Sequence, residues 1–339
     1  MNETAALYAP IPKDMALTVV LSFAVCLVLG ALLIPWLTKL KFGQNVRDDG
    51  PKSHLQKQGT PTMGGLAFIG AMVVGALAMS PSGGWLIPAL VATLGYGLIG
   101  FLDDIIKVAK RRSLGLKAYQ KLVGQVGLAL AVAFWAYGEP GIGSGLIMPF
   151  TSVVIDIGVL YIPVMAFIIV GIVNSVNLID GLDGLAAGVN LVIAATFTII
   201  FYFMAGAVTE AGLQDSYHSM MIVSAALCGA LLGFLRFNAY PAKIFMGDTG
   251  SLALGGALSV MTVTSRLALL LPIVAGMLVA TTLSVIIQVL YYKKTKKRVF
   301  RMAPLHHHFE LGGMPETRIV AMYMIITAVL CIIGFVSLA

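Results

Sequence analysis

The stretch ALTVVLSFAVCLVLGALLIPWL (16–37) runs for 22 residues without a charged side chain, and Lys39 and Lys41 follow it. A helix needs about 20 consecutive apolar residues to cross the hydrocarbon core of a bilayer. Reading this segment as a membrane span decides the fold, because the same signature recurs along the chain. Further apolar runs lie at about 62–80, 86–108, 122–138, 158–178, 185–206, 218–236, 249–264, 267–292 and 317–338. The expectation is an all-α polytopic membrane protein of about ten transmembrane helices, forming one integral membrane domain over residues 1–339. Composition agrees: 59% of the 339 residues are apolar and only 11% are charged, against about 45–50% and about 25% in soluble domains. A water-soluble enzyme, a nucleic-acid-binding domain and a disordered chain are excluded, so no nucleic acid is expected as a partner.

The loops between the spans fall into two alternating sets, and 20 of the 22 Lys and Arg residues lie in one of them. That set holds Lys39 to Lys57, Lys107 to Lys121, Arg236 and Lys243, and Lys293 to Arg318, leaving Lys13 and Arg266 on the other side. The positive-inside rule places the basic set in the cytoplasm and both termini outside, which an even number of spans requires. The N-terminus has neither the basic region nor the small-residue cleavage site of a signal peptide, so the first span is expected to stay as an anchor. The longest external segment, 138–158, carries Gly and Pro punctuation followed by β-branched residues, which predicts a small hairpin at the outer surface. Cys26, Cys228 and Cys331 lie far apart in apolar runs and read as packing residues, with no disulfide or metal-thiolate role.

The uncommon polar residues gather in the basic loops and the span ends beside them. In FLDDIIK (101–107), Asp103 and Asp104 are paired acids able to hold a divalent cation or share a proton, and Lys107 stands one turn later. The plainer reading is a set of juxtamembrane charges. In NSVNLIDGLDG (174–184), Asn174, Asn177 and Asp180 recur every three residues and share one helical face. Gly181 and Gly184 break the helix, and Asp183 is placed to cap the next one. In NAYPAKIFMGDTGS (238–251), residues Asp248 to Ser251 are placed to cap the eighth span, whose free N–H groups would favour an anion. In the last cytoplasmic loop, APLHHHFE (303–310) sets His306, His307 and His308 side by side, a run suited to binding phosphate or metal or to moving protons. A fifth stretch, PKSHLQKQGTPTMGG (51–65), has Gly, hydroxyl and Lys57 side chains in the manner of a phosphate-contacting turn, and reads equally well as a Gly-rich helix start.

These five blocks, in this order, resemble the polyprenyl-phosphate N-acetylhexosamine-1-phosphate transferases over almost the whole chain, and the APLHHHFE block resembles the muramoyl branch in particular. The resemblance implies transfer of phospho-N-acetylmuramoyl-pentapeptide from its UDP carrier to undecaprenyl phosphate, with Mg²⁺ as cofactor, lipid I and UMP as products, and a cytoplasmic-side cleft in the bacterial inner membrane as the site. It implies Asp248 as the Mg²⁺ ligand, Asp103 and Asp104 as the acids that deprotonate or position the lipid phosphate, and His306 and His307 near the pyrophosphate, with His308 beside them. Asp180, Gly181, Leu182, Asp183, Asn238 and Phe245 would line a uridine pocket, together with Asn174 and Asn177. Lys57, Thr62, Gln288 and Ala303 would be further contacts, and Lys107, Lys117 and Lys121 would meet phosphate. Membrane lipid and a second copy of the chain are the implied partners. Two alternatives stand beside this reading: a sister enzyme that takes UDP-N-acetylglucosamine, and a transporter or flippase with ionisable groups near the bilayer midplane.

Overall fold

The computed structural model describes residues 12–40, 59–80, 83–110, 115–151 and 153–338. The helices are α1 (Lys13–Lys39), α2 (Gly65–Met79), α3 (Leu86–Ala109), α4 (Ala118–Gly138), α5 (Tyr161–Ile179), α6 (Leu185–Ala207) and α7 (Ala211–Asn238), then α8 (Gly247–Thr264), α9 (Leu271–Val274), α10 (Gly276–Thr295), α11 (Leu305–Glu310) and α12 (Glu316–Val336). Among the described residues, eight helices are long and apolar enough to cross a membrane: α1, α3, α4, α5, α6, α7, α10 and α12. The chain is a multi-pass membrane protein.

Two of the ten expected spans fall short of that standard. Helix α2 has 15 residues and α8 has 18, about 22 and 27 Å at 1.5 Å per residue, against a hydrocarbon core of about 30 Å. Helix α8 also opens on the polar run Gly247 to Ser251, and every residue from Thr249 to Thr264 is buried. It is the central helix of the bundle, with α2, α3 and α5 packed around it. In lipid such contacts depend on small residues that let backbones approach. Gly255 faces the Val173 backbone of α5, Gly256 faces Tyr96 of α3, and Gly250 lies against Gly65 of α2.

The expected span 267–292 is corrected. It is not one helix: a turn at 265–270 leads into the single turn α9, and Ala275 (φ −103°) separates α9 from α10. Pro272 at the start of α9 has no N–H to give a preceding turn, and Gly276 opens the next helix. The triple histidine likewise lies on the short helix α11 rather than on a loop.

The hairpin expected between α4 and α5 is present, with β1 (Gly145–Ile147) antiparallel to β2 (Val154–Asp156) and Leu146 opposite Ile155. The Arg266 side chain donates from Nε to the Gly145 carbonyl at 3.1 Å. The Ile147 N–H donates to the Arg266 carbonyl, and the Phe150 N–H donates to Ser337 after α12. The hairpin therefore sits at the C-terminal ends of α8 and α12. The start of α1 lies at the same end of the bundle, with Asp14 paired to His218 near the start of α7. The opposite end collects the ends of α3, α5, α7 and α10 and the starts of α8 and α12.

Candidate active site

Helix α3 presents Tyr96, Gly100, Asp103 and Lys107 on one stripe at i, i+4, i+7 and i+11, with Asp104 beside it. Any Cβ at Gly100 would strike the Asp248 backbone carbonyl, so glycine there lets α3 lie directly against the start of α8. This close approach brings Asp103, Asp104 and Asp248, 145 residues apart in sequence at the extremes, into one group in which one carboxylate oxygen from each lies within 4.8 Å of the other two. Asp103 and Asp104 are almost fully buried, at 3% and 2% exposure.

Each oxygen of the group has a defined role. Asp104 accepts from the Thr249 N–H at 2.8 Å, from the Thr249 hydroxyl at 2.7 Å and from the Asp248 N–H at 3.2 Å. It thereby caps the N-terminus of α8 from a neighbouring helix, where the helix dipole favours a negative charge. The sequence expectation that Asp248 to Ser251 cap their own helix is corrected: no side chain of α8 caps it, and Asp248 lies inside its first turn. Gly247 takes φ +73°, and a side chain there would meet Asp104 and Thr62. Asp103 accepts from the Leu116 N–H at 2.8 Å, which ties the segment before α4 to α3. The Lys107 ammonium bridges all three acids, at 2.6 Å from Asp103, 3.5 Å from Asp104 and 2.8 Å from Asp248. The Lys121 ammonium adds a contact of 3.0 Å to Asp248. Asn177 donates from Nδ2 to Asp248 at 2.8 Å and to Ser251 at 2.8 Å. Two lysines against three carboxylates leave a net negative site of hard oxygen donors, the donor set that suits Mg²⁺. The residues fit a divalent cation.

Asp180 follows α5 as its C-cap residue. Burial, and then the neighbouring Asp248, Asp104 and Asp183 carboxylates, push it up to about 8. The turn 181–184 docks on the segment after α7. Asn238 is buried, accepts from the Gly184 N–H at 3.2 Å and donates to the Ile244 carbonyl at 3.0 Å. Asp183 accepts from the Ala242 N–H at 2.9 Å, so the expectation that it caps α6 is corrected. Gly184, with φ +77°, occupies the cap position instead, and Leu182 is buried beneath. Phe245 joins through its backbone: its N–H donates to Pro61 at 2.8 Å, and the Gly64 N–H donates to its carbonyl at 2.8 Å. Thr62 is held next to Gly247 by this pairing.

His306 is fully buried, and its ring fills the space a side chain at Gly181 would take. Its ring lies 4.3 Å from that of His307, and His307 Nδ1 is 2.9 Å from Glu310. His308 Nδ1 accepts from the Arg301 N–H at 3.1 Å, and the Gln288 side-chain Oε1 accepts from the Val299 and Phe300 N–H groups. His308 and Gln288 thus shape the segment leading to Ala303, while His306 meets the Asp180–Gly184 turn. Lys117 is exposed at the start of α4, outside the carboxylate group, with its N–H bonded to Gln120. Lys57 lies outside the described residues. The sequence reading took Thr249 and Ser251 only as cap residues and passed over Gln125 and Glu316. Glu316 opens α12 and accepts from the Asp183 N–H. Gln125 carried a usable signal, as a polar residue within the apolar stretch of α4.

Acids, lysines and imidazoles gathered at one end of a membrane bundle make a set of groups suited to phosphate chemistry. Residues 86–266 match the family described as glycosyl transferase family 4, and residues 57–69 match signature 1 of phospho-N-acetylmuramoyl-pentapeptide-transferase. Proteins of that name are similar over nearly the full length. The one from Clostridioides difficile (strain 630) is 49% identical over 96% of this chain and 98% of its own. The one from Thermoanaerobacter sp. (strain X514) is 50% identical over 96% and 99%, and that from Desulfitobacterium hafniense (strain DSM 10664 / DCB-2) is 47% identical over 95% and 96%. The chain belongs to the phospho-N-acetylmuramoyl-pentapeptide-transferase family and is a transferase of peptidoglycan synthesis.

Proposed function

We propose that this chain transfers phospho-N-acetylmuramoyl-pentapeptide from its UDP carrier to undecaprenyl phosphate, forming lipid I and releasing UMP. The observation that carries the reading is the convergence of Asp103, Asp104 and Asp248 with Lys107 and Lys121 at the ends of membrane helices. A donor in water and an acceptor whose isoprenoid tail stays in lipid can meet only at such an interface. The bundle works as a single domain over 1–339 with ten spans, both termini outside, the site facing the cytoplasm in the bacterial inner membrane, and a second copy completing a homodimer.

Attack of one phosphate on another gathers negative charge, so positioning and charge neutralisation supply most of the catalysis. Asp248, supported by Asp103 and Asp104, would hold Mg²⁺. The bound ion supplies charge neutralisation at the pyrophosphate. Lys107 and Lys121, within reach of the same cleft, would meet phosphate oxygens, joined by Lys57, Lys117, His306 and His307, with His308 and Gln288 shaping the segment that presents Ala303. Asp180, Gly181, Leu182, Asp183, Asn238 and Phe245, with Asn174, Asn177 and Thr62, form the nucleoside side of the cleft. Direct attack by the lipid phosphate is favoured over a phospho-aspartate. Asp104 is fully engaged as the cap of α8, and Asp103 and Asp248 would be neutralised by a lysine or by the bound cation, which makes each a poor nucleophile.

The test supplies the purified protein with undecaprenyl phosphate and Mg²⁺ and offers two donors separately. UMP is expected from UDP-N-acetylmuramoyl-pentapeptide and not from UDP-N-acetylglucosamine. Release from the second donor alone would overturn the assignment to the muramoyl branch.

A further inference from the structure

One turn deeper in the bundle than Lys121, on the same face of α4, lies Gln125, which is 1% exposed. An uncharged amide buried in a membrane helix is costly unless paired. Gln125 is only half paired. Its Oε1 accepts from Asn174 Nδ2 of α5 at 2.9 Å, while its Nε2 has no hydrogen-bond partner among the described residues. Its backbone carbonyl accepts from the Tyr96 hydroxyl of α3 at 2.9 Å. Gln125 is therefore the point at which α3, α4 and α5 are joined below the carboxylates, and each of the three helices continues upward to that group. Two turns along α3 from Tyr96 is Asp103, one turn along α4 is Lys121, and one turn along α5 from Asn174 is Asn177. Lys121 and Asn177 hold the two separate oxygens of Asp248, at 3.0 and 2.8 Å.

Stability alone does not call for this amide. Asn174 Nδ2 donates its other hydrogen to the Val170 carbonyl at 2.8 Å, so an apolar residue at 125 would strand one Asn174 N–H but would remove the orphan Nε2 with its two N–H groups. What the amide does supply is register: it fixes α4 against α5 at the depth that aims Lys121 and Asn177 at opposite oxygens of Asp248.

We propose that Gln125 is a positioning residue for Asp248, acting through Asn174 and Asn177 on one side and Lys121 on the other. The proposal rests on the reading of Asp248 as the metal-holding acid. Groups that orient metal ligands typically affect metal affinity or activity by about 10–100-fold, and that range is expected here.

The test compares wild type with Gln125→Leu, Asn174→Leu and the double variant, using full-length protein in detergent. Mn²⁺ binding is followed by electron paramagnetic resonance without substrate, and UMP release is followed as a function of metal concentration. Gln125→Leu is expected to weaken Mn²⁺ binding and to lower kcat at least tenfold, with the KM for both substrates within about twofold of wild type and the thermal midpoint unchanged or raised. The double variant is expected to be no worse than the more impaired single variant, because the two substitutions break one connection. Wild-type Mn²⁺ affinity in a folded Gln125→Leu protein would overturn the proposal, as would a fall in thermal midpoint with binding and kcat intact. If Gln125→Leu does not fold, Gln125→Met takes its place, and failure of both to fold overturns the proposal by making the amide a stability requirement. Wild-type protein that binds no Mn²⁺ but transfers normally would instead refute the metal reading of Asp248, a separate outcome from any difference between variants.

Discussion

Asp180 is the residue whose chemistry departs furthest from its ordinary behaviour outside the spans. In the unfolded chain it ionises near the usual carboxylate value of about 4, whereas in the fold burial and three neighbouring carboxylates push it up to about 8. The folded state thus keeps a proton that the unfolded state has lost between those two values. By linkage, stability falls as pH rises through that window and levels off above it. Asp180→Asn keeps the neutral shape and cannot ionise, so its thermal midpoint, measured without added metal from pH 6 to 9, is expected to fall less steeply than that of wild type. Parallel curves for the two proteins would contradict the assignment. The sequence showed Asp180 only as one of three polar residues on a helical face. Its perturbation comes first from burial and then from Asp248 and Asp104, which other helices contribute, and from Asp183 in its own turn, and no local pattern encodes the burial or the two distant acids. The same holds for Lys107: its spacing from Asp103 and Asp104 was legible, but its 2.8 Å contact to Asp248 depends on the packing of α3 on α8.

At the scale of elements, hydropathy located nine of the ten expected helices with boundaries within a few residues, apart from the polar first two turns of α7, which starts at Ala211 rather than 218, because apolar length is a strong signal in a membrane chain. It failed where apolar character continued through a break, at Ala275 between α9 and α10. Pro272 and Gly276 marked that break, but the surrounding Leu and Val masked it. Apolarity also said nothing of which helix would be central. That is set by glycines, and Gly100 makes a direct test. Gly100→Ala would place a methyl group against the Asp248 carbonyl and force α3 away from α8, at a cost of about 1–3 kcal/mol for overpacking. Both a lower thermal midpoint and slower transfer are expected, since the shift separates Asp103 and Asp104 from Asp248. Gly127→Ala on α4 is the matched control. A Cβ there meets nothing within 4 Å, and alanine is the better helix former by about 1 kcal/mol, so neither quantity should fall. Equal effects at the two positions would refute the account of α8 packing.

For the whole molecule, geometry and charge agree by independent routes. The fold puts the hairpin, the start of α1 and the end of α12 at one end of the bundle and the carboxylates at the other. By sequence, 20 of the 22 basic residues belong to the alternating set of segments that also holds the three carboxylates, which supports the proposed cytoplasmic side for that end. Neither route alone orients the site: the fold has no membrane sidedness, and the charge rule places no carboxylate beside another. The three cysteines are all buried, so single cysteines added at exposed positions report sidedness against a quiet background. Thr151→Cys in the hairpin and Lys296→Cys after α10 are both exposed. In intact cells a membrane-impermeant thiol reagent is expected to label Thr151→Cys and to spare Lys296→Cys until the membrane is opened. Labelling of Lys296→Cys alone would invert the topology and put the carboxylates on the wrong side for a cytoplasmic nucleotide donor. Labelling of both in intact cells would mean that α10 does not cross as drawn, and the broken 267–292 segment would be the first place to look.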